Sequence, residues 1–514
     1  MSETNYDLLP YKSYPFAVTC PENLASIATL FGMQPPDFRC ARVLELGCAS
    51  GGNIIPLAEL YPDSEFTGID LSSKEIGEGL EQIAATDLHN IKLQAMSVAD
   101  IDAAFGKFDY IIAHGLFSWV PYEVQEHILR ICKENLVENG VAFVSFNTLP
   151  GWNLVNSVRG MMQYHTESIS DPQEKANQAR LILQFMIDGL EGDNSLHAQL
   201  MREEMELLSG KEDYYLLHDH LEDDNHPIYF HEFMQRARTA GLDFLGDTDL
   251  HTMLVDNLPP SVSAHLRKLT DMVQSEQYMD FFRNRRFRNT LLCHQGVPLN
   301  RNITPQTVER FYVSTDARCA TEINESTLAE GFELSFTLNK IALSTKNRLS
   351  KLVFIVLVEQ SGRPLALDDI VAKVLEKAPD ISAGQIRQHI FNELSLIGLV
   401  FKGILKLRLS PGVYLMAVPE KPKTTRTARY LAEKGDVVTS CRHQLVSMQE
   451  IETIILKLLD GTRTVDEVAA ALLEQEKQGL INITANQANV DKATLIRDTC
   501  QEVIARFCKL AFLV

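Results

Sequence analysis

At 514 residues the chain is too long for one hydrophobic core and is expected to divide into about three domains. With 45% hydrophobic and 23% charged residues it has a globular composition, which excludes general disorder, while a formal net charge of -20 opposes nonspecific binding to nucleic acid and favours a cationic partner. The longest aliphatic run, Leu352 to Val358, is far short of the roughly twenty residues that span a bilayer, so membrane insertion is not expected.

The opening MSETNYDLLPYK has no basic region followed by an apolar one, and no secretory signal is expected there. Nine cysteines without a C-x-x-C pair are an odd number for a disulfide framework, which points to a reduced, cytoplasmic protein. Residues 1–35 read as an aromatic arm. Its Tyr11, Tyr14 and Phe16 either close over a ligand or a dimer partner, or staple onto a sheet.

The stretch RVLELGCASGG, Arg42 to Gly52, places a glycine-rich turn directly after a short apolar strand. Gly47, Gly51 and Gly52 let the backbone approach a ligand where the next helix, Asn53 to Tyr61, begins. A dinucleotide fingerprint needs G-x-G-x-x-G, whereas this loop is Glu-x-Gly-x-x-x-Gly, and a carboxylate at Glu45 suits an ammonium group better than a pyrophosphate. The second strand, Phe66 to Ile69, ends at Asp70, whose carboxylate can accept from two ribose hydroxyls. Further strands are predicted at Ile91 to Met96, Phe108 to His114 and Val141 to Asn147, alternating with helix-length segments. That alternation predicts a parallel sheet, with Glu45, Asp70, Asp100, His114 and Asn147 converging at the carboxyl ends of its strands.

The ELGCASGG stretch followed by GIDLS, Gly68 to Ser72, resembles the cofactor-binding half of a class I methyltransferase that uses S-adenosylmethionine (AdoMet). That resemblance implies that Glu45, Gly47 and Gly51 line the methionine end of the cofactor, that Asp70 takes the ribose, and that Asp100 faces the adenine amino group. Cys48, Ser50, Leu71, His114 and Tyr11 complete the cofactor-binding set it implies. The loop after the fourth strand, HGLFSWVP, is where an acceptor is expected: His114 can hold it, and Trp119 and Phe117 either form cation-π walls or cap the core. It lacks an Asn-Pro-Pro-Tyr type motif, which disfavours methylation of bases or glutamine amides. In the next loop, FNTLPGW, Asn147 can accept from an amine and Trp152 either faces the acceptor or anchors the helical segment after it.

Residues 151–228 read as a helical, acidic insertion over the active-site edge. The acids Glu203, Glu204, Glu206, Asp223, Asp224, Asp247 and Asp249 form a solvated face first and a lysine-attracting wall second. The run His218 to Glu232 has four histidines but no HExxH pattern and no cysteine pairing, and no metal is expected. Tyr229 to Gly241 is predicted as a helix closed by glycine, with Leu242 to Asn257 as two strands that complete a seven-stranded sheet. The methyltransferase domain is thus placed at 36–258 and connecting helices at 259–300, where the arginine run RNRRFR is read as a helix face packed on acids. A winged-helix-like domain is placed at 301–418, with an alternating strand Phe401 to Leu409. Its presumed recognition helix carries only Arg387 and His389, so DNA reading is not expected. A linker, Pro419 to Thr427, leads into a second such unit, 419–514, with a turn at Asp460 and Gly461 and Thr464 capping the next helix.

The aromatic arm, RVLELGCASGG, HG-x-x-SWVP, NTLPGW and HPIYFHEF together resemble a bacterial group that joins a class I methyltransferase domain to a methyltransferase regulatory domain and includes the rickettsial protein lysine methyltransferases. The resemblance is close from Tyr11 to Trp152, fair from His218 to Asn257 and architectural beyond Pro260. It implies an α/β fold with a seven-stranded Rossmann-like methyltransferase sheet and a helical insertion, plus a mainly helical C-terminal region with winged-helix-like units. AdoMet as cofactor and a homodimer are implied with it. The expected activity is methyl transfer to lysines of a protein substrate, with His114, Trp119, Asn147 and Trp152 near the acceptor. A small-molecule or peptide acceptor, and a non-catalytic AdoMet-binding interaction protein, remain as alternatives.

Overall fold

The computed structural model describes residues 13–338, 341–481 and 491–514. Its centre is a seven-stranded sheet of β1 (Arg42–Leu46), β2 (Glu65–Asp70), β3 (Ile91–Ala95), β4 (Phe108–Ala113), β5 (Leu136–Asn147), β6 (Leu242–Asp247) and β7 (Phe287–His294), in the order β3-β2-β1-β4-β5-β7-β6. The first five run parallel, with Leu44 opposite Thr67 on one side and Ile111 on the other, and β7 runs antiparallel to both β5 and β6. Strands β1, β4 and β5 are buried on both faces, as a parallel sheet covered by helices requires. One face carries a core of Leu46, Ile111, Phe117, Phe146 and Phe233, and the other packs on helix Pro21–Leu30 and runs on into the C-terminal half through Phe354 and Ile370.

Helix boundaries follow local chemistry. Ser72 caps helix Ser73–Thr86 by accepting from Glu75 N, and Asp171 caps Pro172–Gly189, which has proline in its first turn. Gly241, at φ 88°, stops the chain after helix Phe230–Thr239, as its position implies. Between β5 and that helix, Trp152–Thr166, Pro172–Gly189, Leu196–Ser209 and Asp213–His220 form the insertion around a small core of Val158, Met162, Leu183 and Leu216.

Three elements differ from expectation. Leu242 to Asn257 supplies one strand, not two: after β6 the chain turns into short helical segments at Leu250–Met253 and Val255–Asn257. The seventh strand comes from the arginine run instead, beyond helix Met272–Arg283, so the sheet takes a strand from the segment read as connecting helices. The physical reason is Arg288, which is fully buried in β7 with Nε 2.7 Å from Asp280 and Nη2 2.9 Å from Glu276. A charged residue that alternates inward mimics an exposed helix face until its acidic partners are known. Third, of the segment read as an alternating strand, Phe401 ends helix Leu396–Phe401, residues 402–405 form a turn, and only Lys406–Arg408 is strand.

In the C-terminal half, β8 (Tyr312–Ser314) is flanked by β11 (Leu365–Ala366) and β12 (Lys406–Arg408) in a small antiparallel sheet, and β9 (Leu334–Leu338) pairs with β10 (Ile341–Thr345). Helices Arg348–Glu359, Leu367–Lys377 and Ala383–Gln388 pack beside them, so the winged-helix-like unit draws its sheet from distant segments rather than a single hairpin. Arg387 pairs with Asp368 and His389 is buried against Ser350 and Glu393. The final unit has its own core, with Ile455, Leu472, Ile504 and Phe507, around hairpin β13 (Val437–Thr439) and β14 (Leu445–Ser447). Gly461, at φ 86°, makes its turn and Thr464 caps helix Val465–Lys477. The expected linker is partly structural: Pro422 is buried, and Thr424 N donates to Leu459 O at 2.9 Å. All nine cysteines are free, and among the described residues no helix is long and apolar enough to cross a membrane.

The Arg288 network gives a stability prediction. Burial already holds the Glu276 and Asp280 carboxyls above their usual range against the pull of Arg288. Arg288→Met leaves both without their main counter-charge and is expected to lower the unfolding free energy by about 3 kcal/mol, the scale for breaking a buried ion pair from one side, as measured by chemical denaturation of the purified chain.

Candidate active site

The strand order reverses at β1, between β2 and β4, and opens a crevice at the carboxyl ends of the strands. The turn after β1 fills it. Gly47 (φ 73°) and Gly51 (φ 78°) take left-handed backbone, and the Gly47 and Cys48 amides both donate to Ile69 O, locking the turn onto β2. A Cβ on Gly47 would lie 3.2 Å from the Leu116 side chain, so this loop and the one after β4 touch. Asp70 Oδ2 accepts from Ala49 N at 2.8 Å and Oδ1 from Ser72 N at 2.9 Å, which fixes its carboxylate at the mouth of the crevice.

Glu45 is buried at the floor. Its Oε1 accepts from Asn53 Nδ2 at 2.7 Å, while Oε2 is buried and has no hydrogen-bond partner. Desolvation pushes its carboxyl up to about 8, opposed by the Asn53 hydrogen bond and aided by the Asp70 charge. A buried acceptor oxygen without a donor fits an ammonium group, and the glycine turn with Asp70 beyond it fits the rest of an amino-acid nucleoside. The residues therefore suit the methionine and ribose ends of AdoMet.

The remaining cofactor candidates divide. Cys48 is buried, with its thiol pushed well above its ordinary range by desolvation. Ser50 supports Glu75, whose carboxyl burial raises to about 7. Leu71 is 53% exposed beside Asp70, and Asp100 is exposed in the turn after β3. Tyr11 lies outside the described residues. The arm itself reaches the site: Ser13 Oγ accepts from Gly52 N at 2.8 Å and Phe16 stacks on His114 at 3.9 Å.

His114 is held between Phe16 and Phe143, and desolvation lowers its pKa to about 4, so the ring is neutral near pH 7. Phe117 is fully buried against Phe146 and Phe233 and is a core residue, not a wall of the acceptor site. Trp119 is partly exposed. It meets Trp152 edge to face at 6.2 Å, with the Arg159 guanidinium 5.7 Å over its ring. Trp152 is 8% exposed, at the first turn of the insertion, with its indole N–H buried and unpartnered. Asn147 ends β5, its amide donating to Ser118 Oγ at 2.8 Å and its Nδ2 to Asn225 Oδ1 at 3.0 Å.

Asn225 follows the exposed acids Asp223 and Asp224, so an acidic loop is tied to this end of the sheet. Glu204 and Asp247, counted with that acidic wall in the sequence, are instead buried against Arg286 and Arg285. The histidines of 218–232 disperse to different partners: His220 lies 3.6 Å from Glu204, His226 packs on Tyr122, and His231 meets Gln277. No group of three or more metal-binding side chains occurs among the described residues.

Sequence reasoning missed Asn53 and His443. Asn53 Oδ1 accepts from Phe16 N at 2.9 Å and contacts His443 Nε2 at 2.8 Å, while its Nδ2 reaches Glu45. A polar residue directly after the paired glycines was the available signal for Asn53. Nothing local marks His443, which lies 390 residues away.

Comparison with known proteins agrees with this geometry. Residues 44–142 match a methyltransferase domain model, 212–294 a predicted methyltransferase regulatory domain, and 420–510 the PKMT C-terminal winged helix domain. An uncharacterized protein of Rickettsia prowazekii is 37% identical over 99% of this chain and 93% of its own length. The structure of PKMT2 from Rickettsia typhi in complex with AdoHcy is 34% identical and covers 98% of this chain and 100% of that one, with a TM-score of 0.90; a second structure of PKMT2 from Rickettsia typhi gives 0.88. The crevice at the β1 switch point and similarity along nearly the whole chain lead to one conclusion: this chain belongs to the class I AdoMet-dependent methyltransferases that carry a methyltransferase regulatory domain and a PKMT-type winged-helix domain.

Proposed function

We propose that this enzyme methylates lysine side chains of a protein substrate, acts in the cytoplasm and forms a homodimer. The observation that carries the lysine assignment is the similarity to PKMT2 over 98% of this chain, insertion and C-terminal units included. On this reading Glu45, Gly47, Cys48, Ser50, Gly51, Asp70, Leu71, Asp100, His114 and Tyr11 hold the cofactor, and His114, Trp119, Asn147 and Trp152 border the acceptor. In domain terms, the catalytic unit is the sheet with its insertion, and the winged-helix-like units flank it.

Bound AdoMet supplies a methyl group already activated by the sulfonium charge, so the protein's task is to align, desolvate and present a neutral nucleophile. A lysine ammonium has an ordinary pKa of roughly 10.4, and burial beside a positive charge lowers it, so no strong base is required. His114 suits such a site because its neutral ring does not repel an incoming cation. The exposed Asp223 and Asp224 attract the protonated lysine, and the Asn225 to Asn147 hydrogen bond places their loop at the acceptor end. Trp119 borders the acceptor with a partly exposed ring that already carries the Arg159 guanidinium and Trp152.

Two outcomes test this reading. Labelled AdoMet with a lysine-rich protein should give label on lysine by mass spectrometry, and Asp70→Ala should lower kcat/KM by about 10- to 100-fold through loss of charge-assisted hydrogen bonds. Label confined to a small molecule would remove the lysine assignment. The second outcome concerns pH. Glu45 is protonated at neutral pH in the free protein, and an ammonium in contact with it favours the carboxylate, so binding lowers its pKa and releases a proton. AdoMet affinity measured by calorimetry should therefore rise as pH climbs toward about 8, by up to about tenfold per unit, and fall above it as the cofactor's α-ammonium, of ordinary pKa about 8, loses its proton. Glu45→Gln should flatten that slope.

A further inference from the structure

Among the polar contacts that tie the C-terminal half to the N-terminal arm and the methyltransferase domain, an Arg426–Asp87 ion pair included, three anchors stand out. Glu59 accepts from the Arg426 and Thr427 amides at 2.6 and 2.8 Å, capping helix Arg426–Lys434. Glu22 accepts from the Ser410 amide and hydroxyl at 3.0 and 2.7 Å. The third anchor is His443, in the turn between β13 and β14, and it alone of the three reaches the floor of the cofactor crevice.

The chemistry at that contact is unambiguous. Asn53 Oδ1 faces the Phe16 backbone N–H, a fixed donor, so the amide cannot be flipped and its Nδ2 must face Glu45. His443 Nε2 therefore carries the proton and donates to Oδ1 at 2.8 Å. Thr19 Oγ1 accepts from Asn53 Nδ2 at 2.9 Å and donates its own proton to Phe16 O at 2.9 Å, so the amide is held at both its oxygen and its nitrogen. Asn53, Glu45, Thr19 and His443 are all buried, out of reach of water that would replace a lost bond. The result is a hydrogen-bonded line, His443 to Asn53 to Glu45, that leaves Glu45 Oε2 as its open end.

We propose that His443 is a positioning residue of the cofactor site: by fixing the Asn53 amide it orients Glu45, so that docking of the C-terminal unit sets the affinity for AdoMet. This rests on the assignment of Glu45 to the cofactor's ammonium end. The coupling is reciprocal, because whatever the docked turn contributes to AdoMet binding, AdoMet returns to the docking of the turn. A protein or ligand that shifts the C-terminal unit would thereby tune methyl transfer without entering the active site.

The turn is held by Ser440 N donating to Gln444 O and His443 N to Ser440 O, both at 2.9 Å. In the unaltered chain, saturating AdoMet should slow hydrogen exchange at these two amides as well as at Gly47 and Cys48. Slowing confined to the glycine turn would overturn the proposal. Calorimetry of variants gives the second arm. His443→Phe should weaken AdoMet about fivefold, the scale of one buried hydrogen bond, with the acceptor KM unchanged, and His443→Gln, which keeps a donor, should recover most of the loss. Both variants share the backbone cost of the left-handed residue (φ 58°), which cancels between them. Glu45→Gln alone tests the underlying assignment. In that background His443→Phe should have no further effect, and an undiminished fivefold loss there would show that His443 acts by another route and overturn the relay.

Discussion

The position of β1 between β2 and β4 is the constraint from which the site follows. Chain leaving β1 and chain leaving β4 turn away on opposite sides, so the strand ends cannot be covered by their own connections. The crevice that results must be lined by backbone able to approach a ligand and by polar groups that tolerate burial. Gly47 and Gly51 meet the first demand with left-handed turns, and Glu45, with the partly buried Asp70 at the mouth, the second. Glu45 is the more costly of the two. Its carboxyl sits in a dry floor with one oxygen bonded and one not, where desolvation penalises the carboxylate and favours the neutral acid.

That cost explains why so much structure gathers around Asn53. A single amide receives the N-terminal arm through Phe16 and Thr19 and the C-terminal unit through His443, and presents its remaining donor to the acid. The arm also lays Phe16 on His114, so the same arm contacts both the residue after the glycine turn and the loop after β4. On the far side of the sheet the Arg288 network plays the corresponding part. It lets the antiparallel β7 enter between β5 and β6, and places helix Met272–Arg283, whose Glu276 and Asp280 complete the buried charge cluster.

The insertion and the catalytic sheet are joined where the acceptor is expected. Trp152 starts the insertion against Trp119, and the acidic loop returns through Asn225 to Asn147 and through His226 N to Ser118 O. The insertion has its own core, so it can keep its shape while contacting the sheet through a few polar and aromatic groups.

What the sequence determined by itself was local. Strand, glycine turn, acid and following strand stand within thirty residues, so hydrophobic alternation and turn chemistry were enough to find β1 to β5, Gly241 as a helix stop, Thr464 as a cap and Glu45 and Asp70 as crevice residues. The seventh strand was hidden because an alternation that buries Arg288 looks polar until Asp280 and Glu276 are brought beside it. Phe117 stayed ambiguous because an aromatic near a site and an aromatic under it have the same spacing. Only the tertiary structure could join Asn53 to His443 across 390 residues, since a hydrogen bond between two buried side chains on separate cores leaves no periodicity, spacing or composition for a sequence to display.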